Sequence, residues 1–316
     1  MKETKKLSFV IPCYRSELMV MNVVEEIREK MTERQELGYE IVMINDQSPD
    51  NVWSVIKKAA EEDSAITVID LAKNVGKHAA LMAGYSVCTG DIIVNVDDDS
   101  QCPLNELWEL LKPIFEEDYD ISIAQYSEKK QSRLKNFGSW VNDFMLRKLL
   151  NKPKDLYISN FWAVKKYICD EMLRYKNPYP YVIGLYLRST NRIANVPMEE
   201  RDRESGTSGY TFRKSLTLWL DGFTAFSVKP LRFSTFMGFF FAGAGFIYAA
   251  VTVIRKLLRP EIMVGYSSLM AVLLFIGGML MLMLGLIGEY LGRIYISINN
   301  SPQYVIREVY HKEDER

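Results

Sequence analysis

The sequence predicts an α/β fold with a mainly parallel sheet, followed by two membrane-spanning helices. Short apolar segments rich in β-branched residues alternate with helical patterns from residue 7 to residue 124. Polar residues follow each of the first four apolar segments, and two long uncharged segments occur later in the chain. The alternation is typical of a parallel sheet covered by helices, and the uncharged segments have the length of membrane spans.

The elements follow one another in a regular order. Strands are predicted over residues 7–11, 39–45, 65–71, 92–96 and 121–124. Helical periodicity predicts helices over residues 18–34, 51–61, 77–87 and 104–116. In such a fold, ligands bind at the carboxyl ends of the strands.

An acidic segment, Asp97-Asp98-Asp99-Ser100-Gln101, follows the fourth predicted strand. Because side chains alternate along a strand, we expect Asp97 and Asp99 on one side and Asp98 on the other. Two carboxylates with the Gln101 carboxamide form an oxygen-only set that suits Mg²⁺ or Mn²⁺ bridging a diphosphate. The alternative interpretation is a solvated acidic turn.

Three further strand ends carry polar residues: residues 12–14, 45–48 and 73–74. Four such ends at one edge of a sheet predict a binding site. No P-loop and no GxGxxG pattern occurs in the sequence. Phosphate groups would therefore be bound by a metal ion and side chains.

Composition excludes some function classes. The formal net charge of −1 provides no basic excess, which argues against nucleic acid as a partner. The four cysteines (Cys13, Cys88, Cys102 and Cys169) form no CxxC pattern. Scattered cysteines are typical of reduced thiols in a cytoplasmic domain.

The two uncharged segments, residues 233–254 and 262–288, define the second part of the chain. As helices they would extend roughly 33 and 40 Å, enough to cross a hydrocarbon core of ~30 Å. We predict a globular domain over residues 1–210, an amphipathic juxtamembrane segment over 211–232, spans at about 233–254 and 264–289, and a C-terminal tail over 293–316. Glycines in both spans would permit close helix packing within or between protomers.

Basic residues become frequent between residues 129 and 227. Arg133, Lys135, Arg201 and Arg203 could bind phosphate through charge-assisted hydrogen bonds. The alternative interpretation of each is a solvated basic surface.

Taken in order, these segments resemble the family 2 glycosyltransferases that transfer sugars to polyisoprenyl phosphates, such as dolichyl-phosphate mannose synthases and undecaprenyl-phosphate glycosyltransferases. The resemblance extends to about residue 304 and lies in residues 12–14, 45–50, 74–80, 97–103, 203–210, 230–232 and 288–295. The Gln-x-x-Arg-Trp motif of processive polysaccharide synthases is absent, which favours a single transfer.

The resemblance implies a GT-A (Rossmann-like) domain, interface helices and a two-helix transmembrane hairpin. It implies an inverting transfer from a nucleotide-diphospho-sugar, expected to be a UDP-sugar, to undecaprenyl (polyisoprenyl) phosphate. The product would serve cell-envelope glycan synthesis or modification, and Mg²⁺ or Mn²⁺ would be the cofactor. The implied metal ligands are Asp97, Asp99 and Gln101. The implied contacts to the nucleotide sugar are Pro12, Tyr14, Glu17, Asp46, Lys73, Lys77 and Asp97. The implied catalytic residues are Asp97, Asp98, Asp99 and Arg203, and the acceptor phosphate would be bound by Arg133, Arg201 and Arg203.

The resemblance also leads to expectations about the acceptor phosphate, the cellular location and the partners of the protein. A phosphate monoester has a second pKa of about 6, so it is largely a dianion at neutral pH, and a strong general base is less necessary than it would be for a sugar hydroxyl. We expect a bacterial inner-membrane protein whose catalytic domain faces the cytoplasm, a homo-oligomer, and a flippase or polymerase of the same pathway as a partner. Two alternatives remain: a transferase extending a lipid-linked glycan at a hydroxyl group, and a non-catalytic membrane scaffold that binds nucleotide sugars.

Overall fold

The computed structural model describes residues 5–126, 152–153, 155–199, 201, scattered positions from 236 to 258, 266–299 and 302–312. The chain divides into two compact units. One comprises Met1–Ser215 with Asn300–Arg316, and the other comprises Leu216–Asn299. The first unit contains the sheet, and the second contains a long apolar helix.

Within the described residues, eight strands form one sheet. They are β1 (Lys6–Cys13), β2 (Gly38–Asn45), β3 (Ile66–Leu71), β4 (Ile92–Asn95), β5 (Ile121–Tyr126), β6 (Trp162–Lys165), β7 (Ile193–Met198) and β8 (Ile306–His311). Their order across the sheet is β7-β5-β6-β4-β1-β2-β3-β8.

The centre of the sheet is parallel, and its flanks are mixed. Strands β4, β1, β2 and β3 are all parallel neighbours. Strand β6 is antiparallel to both β4 and β5, β8 is antiparallel to β3, and β5 is parallel to β7. The prediction of a mainly parallel sheet is therefore confirmed for the four central strands, whereas the sheet as a whole is mixed.

Where the structure describes the first unit, its helices are α1 (Val20–Met31), α2 (Val52–Glu62), α3 (Lys77–Tyr85), α4 (Leu107–Glu116), α5 (Lys166–Leu173) and α6 (Val182–Ser189). Short 3₁₀ helices follow α1 and precede α4, at Thr32–Arg34 and Leu104–Glu106. The four predicted helices correspond to α1–α4. Helices α1, α3 and α4 are shorter than predicted, and α2 is shifted by one residue. Strand β1 is buried from Leu7 onward, because helices and neighbouring strands surround the central strands.

Helix α3 packs very closely on the central strands at Gly84. A Cβ atom at this position would lie 2.7 Å from Val10 Cγ1 and 2.8 Å from Ile44 Cδ1. Real Cβ atoms do not approach other carbon atoms so closely, so only glycine fits without displacing the helix or the sheet. This contact fixes the position of α3, whose first residue is Lys77.

Strand β8 lies outside the part of the chain for which the sequence analysis predicted a sheet. Residues 293–316 were predicted as a tail, but residues 306–311 pair antiparallel with β3. Strands β6 and β7 were not predicted either. Strand β7 contains Asn195 and Pro197, and β8 contains Arg307 and Glu308, so neither has a continuous apolar run.

The second unit contains α7 (Tyr266–Ile298), a helix of 33 residues. By length and composition, its segment Phe275–Gly292 could cross a membrane, and none of the side chains described in that segment is buried. The helix continues nine residues beyond the predicted end of the second span at residue 289. Of the first predicted span, only scattered positions are described, among them the helical and exposed Phe246 and Tyr248. The predicted juxtamembrane segment, residues 211–232, lies outside the described residues.

Candidate active site

The loops that follow the four central strands are joined by hydrogen bonds at one edge of the sheet. The backbone N–H of Tyr14, after β1, donates to Asp98 Oδ2 after β4 at 2.9 Å. The next N–H, of Arg15, donates to Ser48 Oγ after β2 at 2.8 Å. Asn74, after β3, donates to the backbone oxygen of Asp46 at 2.8 Å. The prediction that the polar strand ends meet is confirmed.

Asp46 is buried at the end of β2 and binds the loop that follows β3. Its Oδ1 accepts from the Val75 N–H at 2.7 Å, and its Oδ2 accepts from the Gly76 N–H at 2.9 Å and from Asn74 Nδ2 at 3.0 Å. Burial raises the pKa of Asp46, while the two backbone N–H groups act in the opposite direction. A carboxylate can accept about four hydrogen bonds, so Asp46 retains capacity for a hydroxyl or a base N–H.

Strand β4 ends at Asn95, one residue before its predicted end, and the acidic segment that follows forms a turn. The expected alternation of side chains along a strand therefore does not apply to Asp97, Asp98 and Asp99. The three carboxylates nevertheless have different partners. Asp97 forms an ion pair with Lys77, Asp98 accepts from Tyr14, and Asp99 Oδ1 accepts from the Gln101 N–H at 3.3 Å.

The Lys77 ammonium group provides a positive charge beside this turn. Burial by itself would lower the pKa of Lys77, but its charge and hydrogen-bond interactions with Asp97 outweigh that effect and raise the pKa. The ammonium group therefore stays charged at neutral pH. Lys77 follows Val75 and Gly76 directly. Within three consecutive residues, the first two therefore contact Asp46 and the third contacts Asp97.

Asp98 has an unusual environment for a carboxylate. Burial raises the pKa of Asp98 to about 6, and the nearby charges of Asp97 and Asp99 act in the same direction. The hydrogen bond from the Tyr14 N–H partly offsets these effects. Asp98 is thus tied to the loop after β1 by the hydrogen bond from the Tyr14 N–H.

Three residues of these loops adopt left-handed backbone conformations although they are not glycines. The φ angles of Arg15, Gln47 and Ser100 are 59°, 47° and 58°. Such conformations are uncommon for these residue types and cost free energy, so they persist only where the surroundings enforce them. Sequence reasoning missed them, because no glycine marks the turns.

The residues of the acidic turn fit a divalent cation. Asp97, Asp99 and Gln101 provide hard oxygen donors, and Asp97 already binds one cationic group, the Lys77 ammonium. Among the described residues, the buried Ser100 Oγ has no hydrogen-bond partner. No group of three His, Cys, Asp or Glu side chains in the described part of the chain could hold a metal ion. Two carboxylates suit Mg²⁺ or Mn²⁺ that takes its other ligands from diphosphate and water.

The other predicted contacts to the nucleotide sugar lie around the same edge. Pro12 is buried near the end of β1, and Tyr14 is 45% exposed, with the Arg15 guanidinium 5.5 Å from its ring centroid. Glu17 joins two loops, because its Oε2 accepts from the Asn51 N–H at 3.1 Å. Lys73 is exposed in the loop after β3.

The predicted acceptor-phosphate residues are placed less completely. The Arg201 guanidinium forms an ion pair with Glu26 of α1 and donates to Asn105 Oδ1, both at 2.6 Å. Arg133 and Arg203 lie outside the described residues. The described residues therefore do not bring the three arginines together.

A Rossmann-like sheet with an acidic turn after its fourth strand and a buried carboxylate after its second is the architecture of the GT-A glycosyltransferases. The chain belongs to glycosyl transferase family 2, whose family model matches residues 8–173. A second model, described as the GtrB C-terminal hairpin, matches residues 229–294. The protein is therefore a glycosyltransferase, as predicted, and the predicted hairpin coincides with a recognised family segment.

Curated relatives match along almost the whole chain. An uncharacterized glycosyltransferase, YkcC, of Bacillus subtilis (strain 168) is 31% identical over 313 residues, covering 98% of this chain and 95% of the relative. An undecaprenyl-phosphate 4-deoxy-4-formamido-L-arabinose transferase of Proteus mirabilis (strain HI4320) is 30% identical over 311 residues, with the same coverage of both chains.

Among solved structures, the fold is similar to that of a glucosyl-3-phosphoglycerate synthase of Mycobacterium tuberculosis in complex with Mn²⁺, uridine diphosphate and phosphoglyceric acid. The TM-score is 0.51 at 18% identity, and the match covers 68% of this chain and 76% of that one. At this identity the likeness concerns the fold alone.

Proposed function

We propose that this protein transfers a sugar from a nucleotide-diphospho-sugar to undecaprenyl phosphate or a related polyisoprenyl phosphate. The observation that carries the proposal is the contact of residues 75–77 with both Asp46 and Asp97. This contact supports the proposal because a carboxylate, a cation and an acidic turn lie around one short loop, and these groups would suit a nucleoside, a diphosphate and a metal ion respectively. A UDP-sugar is the expected donor.

The proposal for the acceptor rests on the relatives and on the second unit of the chain. A relative of nearly the same length carries the name of an undecaprenyl-phosphate transferase. Helix α7 includes an apolar segment long enough to cross a membrane. A membrane anchor would keep the catalytic domain at the level of the lipid headgroups, where the acceptor phosphate lies.

The chain's own residues would share the work of the transfer. Asp46 would accept hydrogen bonds from the nucleoside, and Lys77 would attract the diphosphate. Arg133, Arg201 and Arg203 would bind the acceptor phosphate, which as a dianion attacks the anomeric carbon without a strong base. Mg²⁺ or Mn²⁺, held by Asp97, Asp99 and Gln101, would neutralise charge on the departing diphosphate. Asp98 would maintain the position of the loop after β1.

The setting remains a prediction: a bacterial inner-membrane protein facing the cytoplasm, assembled as a homo-oligomer, with a flippase or polymerase of the same pathway as a partner.

The deciding experiment is a transfer assay with the purified full chain in detergent. It contains undecaprenyl phosphate, Mg²⁺ or Mn²⁺ and a panel of labelled nucleotide sugars, and label entering the lipid phase is measured. We expect metal-dependent labelling that Asp99→Asn abolishes. Asp170→Asn, on the exposed surface of α5, is the matched control and should leave labelling unchanged.

Donor binding without transfer to any lipid phosphate would refute the proposal. Transfer to a lipid-linked glycan instead would indicate a hydroxyl acceptor. Absence of transfer to either acceptor would indicate a nucleotide-sugar-binding scaffold.

A further inference from the structure

Strand β8 carries an irregularity at Arg307 that directs this side chain to β3. Asp70 is paired with Glu308, and the next residue of β3, Leu71, is paired with Ile306. Arg307 is therefore the extra residue of a β-bulge. Bulges commonly redirect a side chain. Here the Arg307 Nε lies 3.1 Å from Asp70 Oδ2.

Asp70 needs this partner because it is almost completely buried, with 1% of its surface exposed. A buried carboxylate without a positive or hydrogen-bonding partner is strongly destabilised. Its second oxygen, Oδ1, accepts a hydrogen bond of 2.7 Å from Asn45 Nδ2. Asp70 thus connects Arg307 on one side to the last residue of β2 on the other.

The bond to Asp70 fixes the orientation of the Asn45 amide. Because Nδ2 donates to Asp70, Oδ1 is left to accept, and it accepts from the Ser48 N–H at 3.0 Å. The Ser48 Oγ in turn accepts from the Arg15 N–H at 2.8 Å and donates to Asp50 Oδ1 at 2.5 Å. The ion pair between Arg307 and Asp70 and a chain of hydrogen bonds from Asp70 onward therefore connect Arg307 to the loops after β1 and β2.

These two loops carry Tyr14 and Asp46, which are proposed to contact the donor. They also include Arg15 and Gln47, whose left-handed backbones require restraint by their surroundings. Asp46 stands between Asn45, whose amide belongs to the hydrogen-bond chain, and Gln47. Loss of the hydrogen bond that the Ser48 N–H donates to Asn45 Oδ1 would therefore release the turn that directs Asp46.

We propose that Arg307 is a positioning residue for the donor site, acting through Asp70, Asn45 and Ser48. The inference rests on the proposed function in identifying the ligand as a nucleotide sugar. A segment that follows the membrane helix in the sequence would then set the geometry with which the catalytic domain binds its donor.

The first test needs no ligand. Hydrogen–deuterium exchange of the full chain in detergent measures the protection of peptides containing Arg15 and Ser48. For Arg307→Gln we expect both peptides to exchange at least about fivefold faster. Arg307→Lys, which keeps the charge, should restore part of the protection. Glu308→Gln is the matched control. Glu308 lies on the same strand as Arg307, and its replacement removes an ion pair with Lys57 of α2 but no bond of the hydrogen-bond chain.

Unchanged exchange in Arg307→Gln would overturn the inference. Equal acceleration in Glu308→Gln would also overturn it, because the effect would then arise from weaker pairing of β8. A second arm uses Asp70→Asn. The amide oxygen of the new side chain can still accept the hydrogen bond from Asn45 Nδ2, and a neutral amide needs no cationic partner such as Arg307. In that background Arg307→Gln should cause no further acceleration, and a full additional effect would contradict the proposed route.

The second test measures binding of uridine, guanosine and thymidine diphosphates to the full chain by calorimetry. We expect Arg307→Gln to weaken the tightest of them about fivefold, and to raise the donor KM without changing kcat. Equal affinity in wild type and Arg307→Gln would overturn the inference. If the wild-type protein binds none of the three, the proposed function fails, and the exchange measurement still decides whether Arg307 positions these loops.

Discussion

The Lys77 ammonium group and the Asp97 carboxylate form an ion pair that joins the start of α3 to the turn after β4. The pair is half-buried, with 33% of the lysine side chain and 19% of the aspartate side chain exposed. A metal ion on Asp97 would therefore compete with Lys77 for the same carboxylate. In the proposed function, the donor diphosphate would offer the lysine an alternative anionic partner.

Replacement of Lys77 should separate metal binding from donor binding. We expect Lys77→Met to bind Mn²⁺ about tenfold more tightly in the absence of donor, because the Asp97 carboxylate is released from its ion pair. The same variant should bind the donor more weakly. Calorimetric titration with Mn²⁺ measures the first effect. Lys58→Met, an exposed lysine of α2, should bind Mn²⁺ like the wild type. Unchanged Mn²⁺ affinity in Lys77→Met would contradict the competition.

Asp46 should affect both stability and donor binding. Asp46→Asn places an NH₂ group opposite the N–H groups of Val75 or Gly76, so at least one hydrogen bond is lost. We expect a loss of about 1–3 kcal/mol in the free energy of unfolding. The donor kcat/KM should fall tenfold to a hundredfold, roughly in line with a lost charge-assisted contact. Steady-state kinetics with varied donor measures this, and an unchanged donor KM would exclude Asp46 from the donor site.

The sequence was sufficient to predict the central parallel strands and the meeting of their polar ends. Apolar runs such as residues 39–45 are unambiguous, and parallel strands separated by helices place their carboxyl ends together. It was not sufficient for β8, since β3 and β8 pair across more than 200 residues of intervening chain. No local pattern encodes such a partner.

The candidate site was likewise predictable from the sequence only in part. Asp46 and Asp97 were recognisable because acidic residues follow buried strands. The roles of Asn45, Ser48 and Asp70 were not, since their importance lies in hydrogen bonds between separate loops. Lys77 was predicted to contact the nucleotide sugar, but its pairing with Asp97 depends on the packing of α3 against the sheet.

His78 should make the stability of the first unit depend on pH. Burial lowers the pKa of His78 to about 4, and the positive charge of Lys77 acts in the same direction. In the unfolded chain the imidazole has a pKa of 6.5. Because the folded pKa is the lower one, the stabilising contribution is complete above pH 6.5 and is lost as the pH falls through 4.

His78→Phe removes the titrating group and keeps an aromatic ring opposite Tyr181, whose ring centroid lies 5.1 Å from that of His78. Between pH 7 and pH 4, the unfolding free energy of the variant should rise relative to wild type by at most about 3 kcal/mol. Urea unfolding followed by tryptophan fluorescence at both pH values measures the difference. Parallel pH profiles for the two proteins would show that His78 does not titrate as described.

The close packing at Gly84 should make that position intolerant of any side chain. Gly84→Ala would force Val10 and Ile44 or the whole of α3 to move, and we expect a loss of about 1–3 kcal/mol in unfolding free energy. Gly38→Ala is the matched control, because its Cβ would lie 3.6 Å from Lys6 Cγ, an ordinary contact distance. Equal stabilities of the two variants would mean that α3 does not depend on this contact.

The pairing of β8 with β3 has a consequence for the biosynthesis of the protein. Residues 306–311 leave the ribosome after the apolar helix Tyr266–Ile298, yet they supply one edge of the sheet and the cationic partner of the buried Asp70. Translation of this apolar helix therefore precedes completion of the sheet. A nascent chain that ends before Arg307 has an uncovered β3 edge and an uncompensated buried carboxylate, so completion of the sheet awaits synthesis of the segment beyond this apolar helix.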